Sequence, residues 1–251
     1  MRVLVACEES QEVCKAFRAK GHEAYSCDVQ ECSGGHPEWH IQGDVLPLIN
    51  GSCEFTTMDG HTHTLDGEWD LLIAFPPCTY LTNASAVRMR VKGEIQPERW
   101  AKAMEGKAFF LSFWNAKCKR IAIENPVPLR MVGLPPYAQI IQPYEHGHPY
   151  SKRTCLWLKG LPNLVPTDLL THHEPYVNGG CKDAHGNYRR FQGCKERDPK
   201  TRSKTFPGIA KAMAEQWGGN NGNFSTRCTE TQRTPSTAIG QEGSDHPDPH
   251  H

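Results

Sequence analysis

The chain lacks a long hydrophobic run, and it lacks net charge. Its 251 residues carry 28 Lys and Arg against 28 Asp and Glu. No apolar stretch approaches the roughly 20 residues that cross a bilayer, so a membrane-spanning protein is excluded and no membrane partner is expected. Only a few apolar residues precede Cys7, short of the about 7 to 15 in a secretory core segment. Leu-Val-Ala-Cys at 4–7 therefore reads as part of a first strand rather than as a lipoprotein cleavage site. The 11 cysteines are odd in number, and without a secretory signal the expectation is reduced thiols in a cytoplasm. Also missing is any Cys-x2-Cys pair. Between Cys155 and Cys194 the candidate ligands are His172, His173, Cys181 and His185. Zinc is conceivable from those residue types alone, but the spacing is poor and no metal is assigned. The other reading is a basic, glycine-rich loop in which Lys182, Arg189, Arg190, Lys195 and Arg197 touch phosphates, with Tyr188 and Phe191 available for stacking.

What is present points to one sizeable α/β core, with 37% hydrophobic and 22% charged residues. The zero net charge hides an asymmetry. Residues 1–151 hold 14 Lys and Arg against 18 Asp and Glu, whereas 152–217 hold 12 against 6. Such a basic segment is either a phosphate-binding footprint or a solvated face.

The most informative stretch is 70–82, Asp-Leu-Leu-Ile-Ala-Phe-Pro-Pro-Cys-Thr-Tyr-Leu-Thr. The apolar run suits a strand buried on both faces of a parallel sheet, and the two prolines cannot donate to a ladder, so the chain leaves the sheet there. Cys78 then stands just outside the carboxyl end of a strand, where open α/β sheets bind ligands. It is a candidate nucleophile; the alternative is a small core filler.

Around it, the pattern predicts strands at 2–7, 23–27, 39–45 and 121–123, and helices at 11–20, 97–117 and 207–217. The strands end in Cys7, Asp28, Asp44 and Cys78, as in a Rossmann-like half-sheet. A carboxylate after the second strand can accept from ribose hydroxyls, and one after the third from an adenine amino group; either acid can equally be a turn or helix cap. Asp59-Gly60 between two β-prone stretches predicts a hairpin inserted at about 51–66. Residues 81–96 show no clear periodicity and read as a surface loop. Residues 218–251 are poor in apolar residues and are expected to be disordered.

Phe75-Pro76-Pro77-Cys78, then Glu124-Asn125, then Lys152-Arg153-Thr154, in that order, resemble the signature blocks of cytosine-C5 DNA methyltransferases. Asp28 and Gly43-Asp44-Val45 are similar to the family's S-adenosylmethionine-binding blocks. Residues 205–210, Thr-Phe-Pro-Gly-Ile-Ala, resemble its last block more loosely, and the chain looks most like short phage and prophage members. The resemblance implies an α/β, Rossmann-like class I S-adenosylmethionine-dependent methyltransferase fold with a small irregular recognition insertion. It divides the chain into a core at 1–153, a recognition region at 154–204, a returning helix at 205–217 and a tail at 218–251. It implies Cys78 as nucleophile toward C6 of cytosine, Glu124 as the carboxyl that shares a proton with the N3 side, Asn125 as a hold on the base edge or the loop, and Arg153 as a contact to O2 or a neighbouring phosphate. The donor would be held by Cys7, Glu8, Ser10, Asp28, Val29, Asp44, Val45, Phe75 and Pro76. DNA would be met by Arg88, Arg90, Lys92, Lys152, Arg189 and Arg190, in a bacterial or phage-infected cytoplasm. An amino methyltransferase is disfavoured, because Phe75 and Cys78 stand where such enzymes resemble a pattern of Asp, Asn or Ser and an aromatic.

The chain departs from the family after its first strand. Residues 7–12, Cys-Glu-Glu-Ser-Gln-Glu, contain no glycine to let backbone approach the donor closely. Only about fifty residues separate Arg153 from Thr205, little room for a full recognition domain. Three further readings follow: C5 modification of a pyrimidine nucleotide or of RNA, use of a modified donor, and a catalytically silent DNA-binding homologue. Oligomeric state is not legible.

Overall fold

Period-2 alternation assigns each residue of the first strand to one face of the sheet. In β1 (Arg2–Ala6), Val3 and Val5 face one way and Leu4 and Ala6 the other, all fully buried. A strand buried on both faces needs a layer on each side. The computed structural model, which describes residues 1–82, 86–176, 180–182, 188–190 and 198–219, supplies both layers.

After β1 come α1 (Glu12–Ala19), β2 (Glu23–Asp28) and β3 (His40–Gln42). The predicted hairpin is β4 (Cys53–Thr56) and β5 (Thr62–Leu65), turning at Gly60 with φ 89°. β6 (Leu71–Ala74) leads to Cys78, and α2 (Ala86–Met89), β7 (Arg90–Val91) and β8 (Glu94–Ile95) follow. Then come α3 (Pro97–Trp114), β9 (Ile121–Pro126), β10 (Gln139–Ile141), β11 (Tyr150–Ser151) and β12 (Thr154–Lys159). The short pairs β13 (Glu174–Pro175), β14 (Gly180–Lys182) and β15 (Tyr188–Arg190) precede α4 (Pro199–Ser203) and α5 (Pro207–Trp217).

Seven strands form one sheet in the order β10-β12-β9-β6-β1-β2-β3. Neighbours from β3 to β9 are parallel, and β12 runs antiparallel to both β9 and β10. This doubly wound order, with β12 as its antiparallel member, is the Rossmann-like α/β topology that the sequence led us to expect. One face packs α1 and α5 through Val13, Phe17, Ile209, Met213 and Trp217. The other packs α3 and the β4–β5 hairpin through Phe110, Phe113, Phe55 and Trp69.

Two strands differ from the sequence expectation. Thr154 does not begin an irregular region: residues 154–159 are a sheet strand, with Cys155, Leu156 and Trp157 fully buried, seated between β9 and β10. β10, three residues long, has no sequence periodicity to announce it. Residues 81–96 are not one loop, because α2 and the β7–β8 hairpin lie within them, anchored by the buried Met89. Of the tail expected to be disordered from 218 onward, residues 220–251 lie outside the described residues.

Candidate active site

From β1 the chain builds the sheet outward through β2 and β3; from β6 it builds the other way, through β9. The carboxyl ends of the adjacent pair β1 and β6 are therefore the topological switch point, where α/β sheets open a ligand crevice. Two loops border it: residues 7–11 after β1, and 75–80 after β6.

On the β6 side, Pro76 is buried and Cys78 is half-buried. The loop is held from the neighbouring strand. Asn125, only 1% exposed, donates from Nδ2 to the Pro76 carbonyl at 2.8 Å. Its Oδ1 is buried without a hydrogen-bond partner. A short turn closes behind the thiol, with the Leu81 N–H donating to the Cys78 carbonyl at 3.0 Å.

Alternation along β9 turns Ile121 and Ile123 toward α3, so Glu124 falls on the α5 side. There it lines a cavity of about 10 Å³, room for about one water, with Lys152, Thr154, Phe206 and Met213. Burial pushes its carboxyl above the ordinary range, against the pull of the Lys152 ammonium and the Thr154 hydroxyl. Burial, and then the nearby Glu124 charge, also raise the Cys78 thiol. The cations that weigh most against that rise are Lys152 and Arg202. Lys152 Nζ donates to the Arg202 carbonyl at 2.8 Å, tying α4 to the site. Burial, and then the Glu124 charge, raise the neighbouring Cys155 thiol to about 11, against the pull of the Arg153 guanidinium.

On the β1 side, the glycine-free loop takes left-handed conformations without glycine. Cys7 and Gln11 both have φ 59°, a cost of about 1–2 kcal/mol each. Side-chain bonds hold Gln11 there: Nε2 donates to the His36 carbonyl at 2.9 Å, and Oε1 accepts from the His36 N–H at 3.1 Å. Gly34 lies directly over it, where a Cβ would sit 2.6 Å from the Ser10 carbonyl. Ser10 itself is buried. Glu8 accepts from the Val13 and Cys14 N–H groups at 2.6 and 3.1 Å, so its carboxylate serves the first turn of α1. Burial nevertheless pushes it up to about 8.

Burial, and after it the charges of Asp28 and Asp44, raise the Cys7 and Cys27 thiols, so the two acids converge on them. Asp28 accepts from the Gln30 N–H at 2.9 Å, and the exposed Asp44 from the Leu46 N–H at 3.0 Å. Each is thus a turn acid with oxygen capacity left over. Val29 is 73% exposed beside Asp28, an apolar face without a protein layer over it, whereas Val45 is buried in the core. Phe75 packs on the α1–α5 layer.

Arg88, Arg90 and Lys92 are exposed on the α2–β7–β8 excursion that leaves the thiol loop. The side chains of Arg189 and Arg190 lie outside the described residues, as do those of Cys181, His185 and Cys194. Among the described residues no group of three metal-ligating side chains forms. Sequence reading missed Arg202 and assigned nothing to Glu9. Arg202 lies fifty residues beyond Lys152, and its only local signal is a basic run at 200–204.

No protein-family model and no curated protein matches this chain. Among solved structures, it is similar to a candidate DNA modification methyltransferase encoded within an E. coli prophage, at 13% identity and a TM-score of 0.38 over 67% of this chain and 51% of that one. It is also similar to an Entamoeba histolytica methyltransferase, at 15% identity and a TM-score of 0.36 over 71% of this chain and 58% of that one. The chain thus spans little more than half the length of either.

Proposed function

We propose that the protein is a DNA cytosine-5 methyltransferase that uses S-adenosylmethionine and works through a covalent bond between Cys78 and C6 of cytosine. One observation carries this reading. Asn125 clamps the Pro76 carbonyl, and so brings the thiol loop against the strand end that holds Glu124.

The chemistry follows from what cytosine lacks. Its C5 is a poor nucleophile until a thiolate adds at C6 and drives the C5–C6 electron pair toward C5. Cys78 supplies that sulfur. Glu124, whose carboxyl burial keeps protonated further up the pH scale, is suited to give a proton toward N3 as charge builds on the ring. The donor, when bound, supplies a methyl group on a sulfonium. C5 takes it, the C5 proton leaves to base, and elimination returns the thiolate. Lys152 and Arg202 favour the thiolate by their charge.

Residues at the β1 side fit the donor. Asp28 has carboxylate capacity suited to ribose hydroxyls, and the exposed Val29 offers an apolar face to a purine. Arg88, Arg90 and Lys92, next to the thiol loop, are suited to phosphates. A target base must leave its stack to reach Cys78, at a cost of a few kcal/mol that such contacts offset.

The test is nucleoside mass spectrometry of DNA and RNA from cells expressing the wild type or Cys78→Ala. The expected result is 5-methylcytosine in DNA with the wild type only. No new methylated nucleoside in DNA would end the DNA reading, and its appearance in RNA alone would move the activity there.

A further inference from the structure

Glu9 breaks the usual rule for buried acids. It is 7% exposed, and both carboxylate oxygens are buried without a hydrogen-bond partner. Its neighbour Glu8 shows what a structural acid does in the same loop, with two N–H groups satisfying its carboxylate. Leaving a buried carboxylate unsatisfied is costly unless something charged completes it. Among the described residues its ion-pair partner is Lys200 Nζ, 3.8 Å from Oε2 and half exposed. That separation is too long for a hydrogen bond, and such a pair contributes little.

Position makes the unpaired acid informative. Residues 7–11 border the switch-point crevice on its β1 side, across from the Cys78 loop. The loop holds left-handed backbone at both ends, at Cys7 and Gln11, with no glycine to allow it. That conformation fixes Glu9 between them, beneath residue 33, whose N–H donates to the Glu9 carbonyl at 2.8 Å. A glycine-rich turn offers backbone N–H groups to a ligand; this loop offers a carboxylate. The ligand group it suits is a cation with several N–H donors, in a ligand that also presents a ribose to Asp28.

We infer that Glu9 binds the α-ammonium group at the amino-acid end of the methyl donor, with Lys200 as the cation that the ligand displaces. This rests on the donor assignment above, and it makes Glu9 a determinant of donor specificity rather than a scaffold residue.

Calorimetric titration of the full chain with S-adenosylhomocysteine, S-adenosylmethionine and 5′-methylthioadenosine, which lacks the amino-acid end, tests it. Glu9→Gln is expected to weaken the first two about tenfold or more and to change 5′-methylthioadenosine less than twofold, as for loss of a charged hydrogen bond. Equal affinities in wild type and variant overturn the inference while leaving the proposed function standing. Loss for S-adenosylmethionine alone means a contact to the sulfonium, and overturns it too. A wild type that binds none of the three overturns the donor assignment and this inference together. If Glu9→Gln loses all three with its fold, Lys200→Ala decides: S-adenosylhomocysteine should bind about twofold to threefold tighter, and unchanged or weaker binding overturns the inference.

Discussion

The two walls of the crevice solve the same problem by different means. At β6 and β9, short residues at strand ends are locked by packing and one buried hydrogen bond, Asn125 to Pro76, with Glu124 and Cys78 close enough for their charges to act on each other. At β1, the chain forgoes glycine, holds Gln11 with side-chain bonds and Cys7 with a backbone bond to the Cys27 carbonyl, and buries one satisfied and one unsatisfied acid side by side. On the proposed reading the first wall does the chemistry, and the second meets the donor with a charge in place of backbone donors.

If the walls are separate devices, mutations should separate them. Cys78→Ala removes the sulfur of the β6 loop and should abolish DNA methylation altogether. Titrated with S-adenosylhomocysteine, the same variant should keep wild-type affinity, and parallel loss of binding would break the comparison.

Glu8 belongs to the second wall as scaffold. Its folded-state value is raised from 4.5 to about 8. The native state therefore holds a proton that the unfolded chain releases, and its contribution to stability is full below about 4.5 and is lost as pH rises toward about 8. The loss is at most about 5 kcal/mol. Urea unfolding from pH 5 to pH 8 should show stability falling, and Glu8→Gln should flatten that slope. At pH 5 the variant should be somewhat less stable, because an amide offers one acceptor where the carboxyl offers two.

Asn125→Ala attacks the first wall. It frees the Pro76 carbonyl in a buried setting and should cost about 1–3 kcal/mol in urea unfolding. Catalysis should fall more than stability explains, while S-adenosylhomocysteine affinity stays unchanged.

Smallest is the charge effect on the thiol. Removing the Glu124 charge lowers the Cys78 thiol toward its ordinary range, so Glu124→Gln should speed iodoacetamide alkylation of Cys78 several-fold at pH 8, read on the Cys78 peptide by mass spectrometry. Arg202→Ala should slow it. No change in either variant would separate Glu124 and Arg202 from the thiol.

Legibility in the sequence follows the same divide. Cys78, Glu124 and Asn125 stand at the ends of apolar runs, and their local pattern both names and places them. The sheet strands β1, β2, β3 and β6 were legible for the same reason. The seating of β12 between β9 and β10 was not, because strand order in a sheet is a long-range property, and the basic residues at 152–153 mask the apolar run that follows. Arg202 and Glu9 owe their surroundings to tertiary packing: one reaches the thiol through α4, and the other is notable only for the hydrogen bonds it does not make.

The most direct test of the central claim is covalent trapping. With S-adenosylmethionine and duplex DNA containing 5-fluorocytosine, the wild type should form a denaturation-resistant adduct, because fluorine at C5 cannot leave as a proton does, and the adduct should map to Cys78. Cys78→Ala should form none. An adduct that persists in the variant, or no adduct from a wild type that methylates DNA, would contradict Cys78 as the nucleophile.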